Sequence, residues 1–505
     1  MKLAPVKHIL GISAGFHDAA ATVINSNGDI VFAGHSERYS KLKNDPNIDT
    51  GLILDIRNHC DYTDISQIAY YENPLKKQLR RLYAGEGFDL TQLSAKQIVR
   101  EQLHTMLTHN VPVVSYNHHL SHAASGFQTS PFDRATVVVI DAIGEFDTIS
   151  IYGAEYDRTG RAVYKKLWGQ KYPHSIGLFY SAITQRVGLH PLDEEYITMG
   201  MSAYSKHGNV YAIAMKELLV DSVEDIRFKQ NLHIGLDDNF MASVDTYDIA
   251  GAGQHLVEEL IYSVMERART IGWSTNLVYQ GGVALNCLAN RNLGEYFDKI
   301  WIMPSPGDSG SSLGAAALAY GGPIKFDHAY LGHDIGGKYP VDALVDCLLR
   351  DKIVGVASGR AEFGPRALGN RSLLADPRGP DIKDKVNEIK RRQKFRPFAP
   401  VILAEHCDAF FSMPRGWHTS DYMQSVGHCR RPDLYPAIVH YDGTSRVQTV
   451  ADNDSGIRRL LEAWYAKTGC PMLLNTSLNI RGEPMVNDRS DADRFERLYN
   501  VKVCS

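Results

Sequence analysis

Residues 8–34 and 136–153 carry one pattern twice: short apolar runs that close on loops bearing Gly or Asp. In the first, His8 to Ile12, Ala20 to Ile24 and Ile30 to Gly34 alternate with Gly, Asn and Asp, and Asn25-Ser26-Asn27-Gly28 supplies hairpin turn chemistry. In the second, VVVIDAIGEFDTISIYG reads as strand, turn and strand. A chain that repeats such a unit is expected to fold as a duplicated α/β half. Halves of this kind hold a phosphate-bearing ligand in the cleft between them.

A length of 505 residues points to two domains. Between Gly321 and Pro340, GGPIKFDHAYLGHDIGGKYP interrupts the apolar periodicity. The boundary is therefore expected there, with one domain over residues 1–325 and a smaller α/β domain over 326–505. Strands are expected in the latter at Ile353 to Ala357, Ala399 to Leu403 and Met472 to Leu474. The net charge of -4 gives no overall attraction for nucleic acid or an anionic membrane. No apolar run approaches the roughly 20 residues that cross a bilayer, and the N-terminus lacks a signal-peptide core. The seven cysteines form no C-x-x-C pair and read as reduced thiols, so a cytoplasmic enzyme is expected.

Asn117 to Ser125, NHHLSHAAS, has helical composition. On a helix His118 and His122 share a face and His119 turns away. Two imidazoles so placed can bind one divalent transition metal if carboxylates complete the set, and Asp141 and Asp308 end or follow strands in Gly-rich turns. A buried pair of helix histidines without an ion is the competing interpretation. The loops Asp141-Ala142-Ile143-Gly144-Glu145 and Gln280-Gly281-Gly282-Val283-Ala284-Leu285-Asn286 each follow a strand. Gly144, Glu145, Gly281, Gly282 and Asn286 are thus candidates for cradling a nucleotide or adenylate, although a plain turn explains any one Gly pair. His17, beside Asp18 in the loop GISAGFHD, is the candidate general base for an acceptor hydroxyl.

The second domain is rich in cations set among Gly, Pro and Phe: GRAEFGPRALGNRS with Arg360 and Arg366, then KRRQKFRPFAP with Lys390 and Arg396, then Arg446, then NTSLNIRGEP with Ser477 and Asn479. Arginine forks fit phosphate and planar oxyanions, which points to a shaped anion pocket rather than a solvated basic face.

These stretches together resemble the NodU/CmcH/TobZ carbamoyltransferase family. GISAGFHDAAATV, NHHLSHAASGF, IDAIGE, HSIGLFYSAIT, GGVALN, PGDSGSSLGAA, GRAEFGPRALGNRS, FRPFAP, DGTSRVQTV and NTSLNIRGEP follow one another from Gly11 to Pro484. The resemblance implies an actin/hexokinase-like N-terminal domain, akin to tRNA threonylcarbamoyl transferases, and a YrdC-like C-terminal domain. It implies that ATP, with Mg, and carbamoyl phosphate form carbamoyl-adenylate in the second domain, and that the first transfers the carbamoyl group to a hydroxyl. By the same resemblance His118, His122, Asp141 and Asp308 are ligands of Fe(II) or another divalent metal, and His17 activates the acceptor. Lys390, Arg396, Arg446, Ser477 and Asn479 fall where the family handles carbamoyl phosphate and nucleotide. Two positions depart from the family: Ile197 stands at or near a family Lys, and Ala142 replaces the Gly of the Asp-Gly loop.

Two other functions share such features, a sugar-kinase-like or hydrolytic ATPase and a non-catalytic nucleotide-binding regulator. For the acceptor, a small hydroxylated natural product or sugar competes with 5-hydroxymethylcytosine in DNA. The stretch Tyr70 to Tyr83, YYENPLKKQLRRLY, interleaves cations with aromatics as strand-tracking surfaces do, and a solvated helix face is its plainer explanation. A homodimer is among the arrangements the family resemblance allows.

Overall fold

The computed structural model describes residues 7–103 and 111–505. The chain divides into two units, residues 1–36, 44–289 and 293–327 in the first and 37–43, 290–292 and 328–505 in the second.

In the first unit, strands β1 (His8–Ser13), β2 (Ala20–Asn25), β3 (Ile30–His35), β4 (Ile65–Tyr70) and β5 (Val113–Ser115) form a sheet of order β3-β2-β1-β4-β5. Strand β1 runs antiparallel to β2 and parallel to β4, and the Asn25 carboxamide oxygen accepts from the Asn27 and Asp29 amides in the β2–β3 turn. A second sheet repeats this plan with β6 (Arg134–Gly144), β7 (Asp147–Tyr156) and β8 (Ala162–Lys171). A small hairpin, β9 (Val220–Ser222) and β10 (Arg227–Phe228), precedes its last strands β11 (Asn276–Gln280) and β12 (Lys299–Trp301). Its order is β8-β7-β6-β11-β12, antiparallel across β6–β7–β8 and parallel across β6–β11–β12. The same strand order and the same orientations in both sheets establish the duplicated α/β half.

Val137, Val138, Val139 and Ile140 of β6 are fully buried, which is why this strand reads as an unbroken apolar run rather than an alternating one. The helices His118–Phe127 and Ser311–Tyr320 pack on each other, and Ser311–Tyr320 packs on β1 and β2. A 26-residue helix, Thr246–Ile271, capped by Asp245 and ended by Gly272 in the left-handed conformation, carries the helices Ile176–Arg186, Glu195–Ser202 and Gly208–Leu219.

The second unit adds β13 (Tyr330–Asp334), β14 (Ile353–Ala357), β15 (Arg360–Glu362), β16 (Arg371–Ala375), β17 (Ala399–Leu403) and β18 (Phe411–Ser412). Then follow β19 (Val426–Cys429), β20 (Thr444–Arg446), β21 (Gln448–Val450), β22 (Met472–Ser477) and β23 (Val503–Cys504). Its main sheet has order β21-β17-β22-β16-β14-β23, with a core built on Leu373, Leu374, Leu473, Leu474 and Trp464. Among the described residues no helix is long and apolar enough to cross a membrane.

Candidate functional site

The Asn117 side chain accepts from the Leu120 amide at 3.2 Å and starts the helix His118–Phe127 there. The i, i+4 spacing then brings the Nε2 atoms of His118 and His122 to 3.1 Å from each other. Asp141 lies near the end of β6, and Asp308 opens the short turn Asp308–Gly310 before the helix Ser311–Tyr320. His118 Nε2 is 3.1 Å from Asp141 Oδ2 and 3.4 Å from Asp308 Oδ1. The corresponding distances for His122 Nε2 are 3.6 and 3.3 Å. All four side chains are buried.

Ligand atoms about 2.0–2.2 Å from one cation stand ~2.8–3.6 Å apart in octahedral or tetrahedral geometry, and the nitrogen–nitrogen and nitrogen–oxygen distances above fall in that range. The His118 and His122 Nδ1 atoms make no hydrogen bond, so each ring commits its Nε2 to the centre. Two buried imidazoles and two buried carboxylates converging on one point therefore fit a divalent transition metal. Burial alone would lower both histidines, but Asp308 and Asp141, with Glu72 for His118, raise them above the ordinary range. Despite burial, His118 and His122 hold Asp141, and His118 and His17 hold Asp308, well below the usual carboxylate range. Without a cation, protons on the imidazoles balance the carboxylates.

His17 faces the same centre, with Nε2 at 3.9 Å from Asp308 Oδ2 and Nδ1 at 3.0 Å from Asp18 Oδ2. Burial would lower its pKa, yet Asp308, Asp18 and Asp141 push it up to about 9. Asp18 holds Nδ1 and leaves Nε2 toward the aspartates. Asp18 in the β1–β2 turn and Glu145 in the β6–β7 turn both adopt left-handed backbone, φ +53° and +61°, a strained state found at functional turns.

The loop residues expected to meet a nucleotide have structural partners here. Glu145 accepts from the Asn73 amide at 2.7 Å, the Asn117 side chain at 2.7 Å and the His118 amide at 3.3 Å, so it anchors the start of the histidine helix. Burial raises its pKa. The Gly282 amide reaches Asp141 Oδ1 at 3.3 Å. Gly281 holds φ +89°, and a Cβ there would stand 2.1 Å from the Ile140 carbonyl oxygen. Asn286 pairs its carboxamide with that of Gln254 through two contacts of 3.1 Å.

A Cβ on Gly144 would lie 2.4 Å from the His119 ring and 2.6 Å from the His118 ring. Gly144→Ala is expected to destabilise the protein by about 1–3 kcal/mol, the usual cost of overpacking, read as a lower denaturation midpoint.

Sequence reasoning missed several supporting groups. Glu72, buried, places Oε2 3.8 Å from His118 Nδ1, and Lys77 Nζ is 2.6 Å from its Oε1. His119 Nδ1 lies 2.8 Å from Ser150 Oγ; burial and the neighbouring His118 lower its pKa well below the ordinary value, so it stays neutral. Only the residue type at Glu72, a carboxylate just past a strand, was visible as a signal.

In the second unit the buried Lys390 donates to the Ser477 carbonyl (2.5 Å), the Ser477 hydroxyl (3.0 Å) and Asn479 Oδ1 (2.6 Å). Those three acceptors match the three donors of an ammonium, and all are neutral. Burial, then the guanidiniums of Arg392 and Arg396, push Lys390 well below the usual lysine range. A cation so placed favours an anionic ligand. Arg360 turns instead to the Leu331 and Gly332 carbonyls. Glu362 Oε1 accepts from the Leu368, Asn370 and Arg371 amides and shapes the loop that carries the half-buried Arg366. Arg446 closes β20, opposite Val426. Arg371, unassigned from sequence, is fully buried and donates to five backbone carbonyls, which makes it a scaffold group.

Burial removes part of the Tyr70 to Tyr83 stretch from any strand-tracking surface. Tyr70 and Tyr71 are 1% exposed and offer no ring to a base. Arg80 is buried against Glu86 at 2.6 Å, and Lys77 is spent on Glu72. The helix exposes Leu75, Leu79, Leu82 and Tyr83 together with Lys76, and Arg81 is half-buried.

The family description "Carbamoyltransferase N-terminus" matches residues 8–317, and "Carbamoyltransferase C-terminus" matches residues 345–503. The chain belongs to the carbamoyltransferase family. An uncharacterized protein of Synechocystis is 31% identical over 591 aligned residues, covering 96% of this carbamoyltransferase and 94% of the relative. Nodulation protein NolNO of Sinorhizobium fredii is 30% identical, covering 94% of this chain and 76% of its own. The crystal structure of full-length HypF in its phosphate- and nucleotide-bound form aligns with 63% of this chain and 56% of its own at 14% identity and a TM-score of 0.35, too low for any detail to be carried over. In this carbamoyltransferase Ile197 is 1% exposed, and its neighbour Thr198 donates to Thr184 at 2.9 Å. The position thus joins the core here.

Proposed function

We propose that this transferase is an ATP-dependent O-carbamoyltransferase that works through carbamoyl-adenylate. The observation that carries the reading is the convergence of His118, His122, Asp141 and Asp308 with His17 at 3.9 Å from Asp308. We assign activation to residues 326–505 and transfer to residues 1–325. Carbamoyl phosphate, ATP and one water would give carbamoyl-adenylate, phosphate and pyrophosphate, with Lys390 and the nearby Arg396 attracting the phosphate oxygens. Mg would accompany the ATP.

In the transfer step the acceptor oxygen attacks the carbamoyl carbon, AMP leaves, and the hydroxyl proton passes to His17 Nε2. Asp18 steadies the imidazolium that results. A divalent cation on the tetrad, with Fe(II) the candidate by family resemblance, would hold the adenylate phosphate and offset charge that grows as the carbonyl is attacked. His17 must be neutral to take a proton, and the field that raises it comes from Asp308, Asp18 and Asp141. Engagement of the two tetrad aspartates therefore favours its basic form.

A small hydroxylated acceptor is favoured over a DNA base, because Tyr70, Tyr71 and Arg80 are buried and Lys77 is paired with Glu72, which leaves Tyr83 as the exposed tyrosine of residues 70–83. Labelled carbamoyl phosphate with ATP, offered a panel of sugars and polyol natural products beside hydroxymethylcytosine DNA, tests this choice. Label in a small acceptor is the expected result; label only in DNA would reverse it.

A further inference from the structure

One buried ion pair beside the metal centre belongs to none of the expected site residues. Glu72 follows β4 directly, its side chain is 4% exposed, and Lys77 sits on the first turns of the helix Pro74–Tyr83. Lys77 Nζ donates to Glu72 Oε1 at 2.6 Å and to the Gly15 carbonyl at 3.2 Å, and it lies 5.7 Å from the centre of the Phe16 ring. The Tyr70 hydroxyl donates to the Ala14 carbonyl at 2.7 Å and stands 3.4 Å from Glu72 Oε1. Residues 14–16 lead straight into His17 and Asp18. On its other side Glu72 turns Oε2 to His118 Nδ1 at 3.8 Å.

We propose that Glu72 and Lys77 are a positioning pair, Glu72 setting the His118 ring and Lys77 tying that setting to the loop that carries His17. The chemistry is specific. His118 offers Nε2 to the tetrad, so its proton belongs on Nδ1, and a carboxylate 3.8 Å from Nδ1, outside hydrogen-bond reach, acts on it by charge, favouring that tautomer and making the ring a stronger ligand. A buried carboxylate keeps its charge only with a cation nearby; burial would raise Glu72, and Lys77 and His118 hold it down. Lys77 supplies that charge and spends a further N–H on Gly15, so the metal ligand and the candidate base share one support. Neither residue touches substrate.

This inference rests on the metal-centre reading of the tetrad. The test is titration of the metal-stripped full-length protein with Co2+ in competition with a chelator, following the visible Co2+ absorption. Glu72→Gln is expected to weaken Co2+ binding by ~10–100-fold, the usual effect of losing a carboxylate behind a ligating histidine. Lys77→Met is expected to weaken it in the same direction, and Lys77→Arg to restore most of the loss. Lys77→Met is also expected to speed amide exchange at Gly15, whose N–H bonds the Pro46 carbonyl at 2.7 Å. Because removing one member strands a buried charge, the double variant Glu72→Gln/Lys77→Met removes both charges and keeps the shapes. A folded double variant with wild-type Co2+ affinity overturns the role of Glu72. Unchanged Gly15 exchange in Lys77→Met overturns the role of Lys77. Wild-type protein that ignores Co2+ overturns the metal-centre reading, and the pair's role with it.

Discussion

Asp308→Asn is expected to cut the affinity for a divalent cation by more than ~100-fold, beyond the range seen when a group behind a ligand is lost. Asp308 approaches the Nε2 atoms of both His118 and His122, at 3.4 and 3.3 Å, and among the described residues Asp141 is the other carboxylate that does so. The substitution keeps the shape and removes the charge. It is also expected to lower the His17 titration below its value of about 9, since Asp308 is the leading charge that raises it, and NMR of the metal-free protein reads that shift. The pH dependence has a definite sign. His118 and His122 sit above their ordinary range in the absence of a cation, and a ligand imidazole must shed its Nε2 proton. Cation affinity therefore rises with pH through the raised histidine range and falls as the medium is acidified. Calorimetric titration at several pH values checks it, and an affinity flat with pH would speak against the tetrad as the binding site.

Lys390→Met carries the second large effect. Lys390 is a buried amine with three neutral acceptors and two guanidiniums that disfavour its charge, and an incoming phosphate would favour its protonated form. Losing one preorganised charge-stabilising donor costs ~10²–10³ in rate, so pyrophosphate release is expected to fall by that factor. Co2+ binding at the tetrad, built wholly from first-unit residues, is expected to stay as in wild type. A variant that lost both would contradict the separation of activation from transfer. Some loss of stability accompanies the change, because Ser477 and Asn479 each lose a donor.

The strands were legible because both sheets put apolar runs against Gly, Asn and Asp turns, and β1, β2, β3, β6 and β11 lie where those runs are. The facing of His118 and His122 follows from a local rule, the i, i+4 repeat. Their meeting with Asp141 and Asp308 does not, since it depends on β6 and on the turn at Asp308, far apart in sequence. The partnership of Glu72 and Lys77 with His118 was hidden for the same reason, because a carboxylate just past a strand does not announce a histidine on another helix. Tyr70 and Tyr71 misled because the letters of a basic, aromatic stretch do not tell which rings turn inward at a strand end. The Arg-rich segments divided in an unmarked way: Lys390 joins Ser477 and Asn479, while Arg371 and Arg360 are spent on backbone carbonyls.

The most direct measurement is pyrophosphate release from ATP by the full-length protein, with and without carbamoyl phosphate and with no acceptor present. Release that requires carbamoyl phosphate, with phosphate formed alongside, is the expected result. Release independent of carbamoyl phosphate, or ADP as the nucleotide product, would contradict a carbamoyl-adenylate route and favour a kinase-like or hydrolytic ATPase.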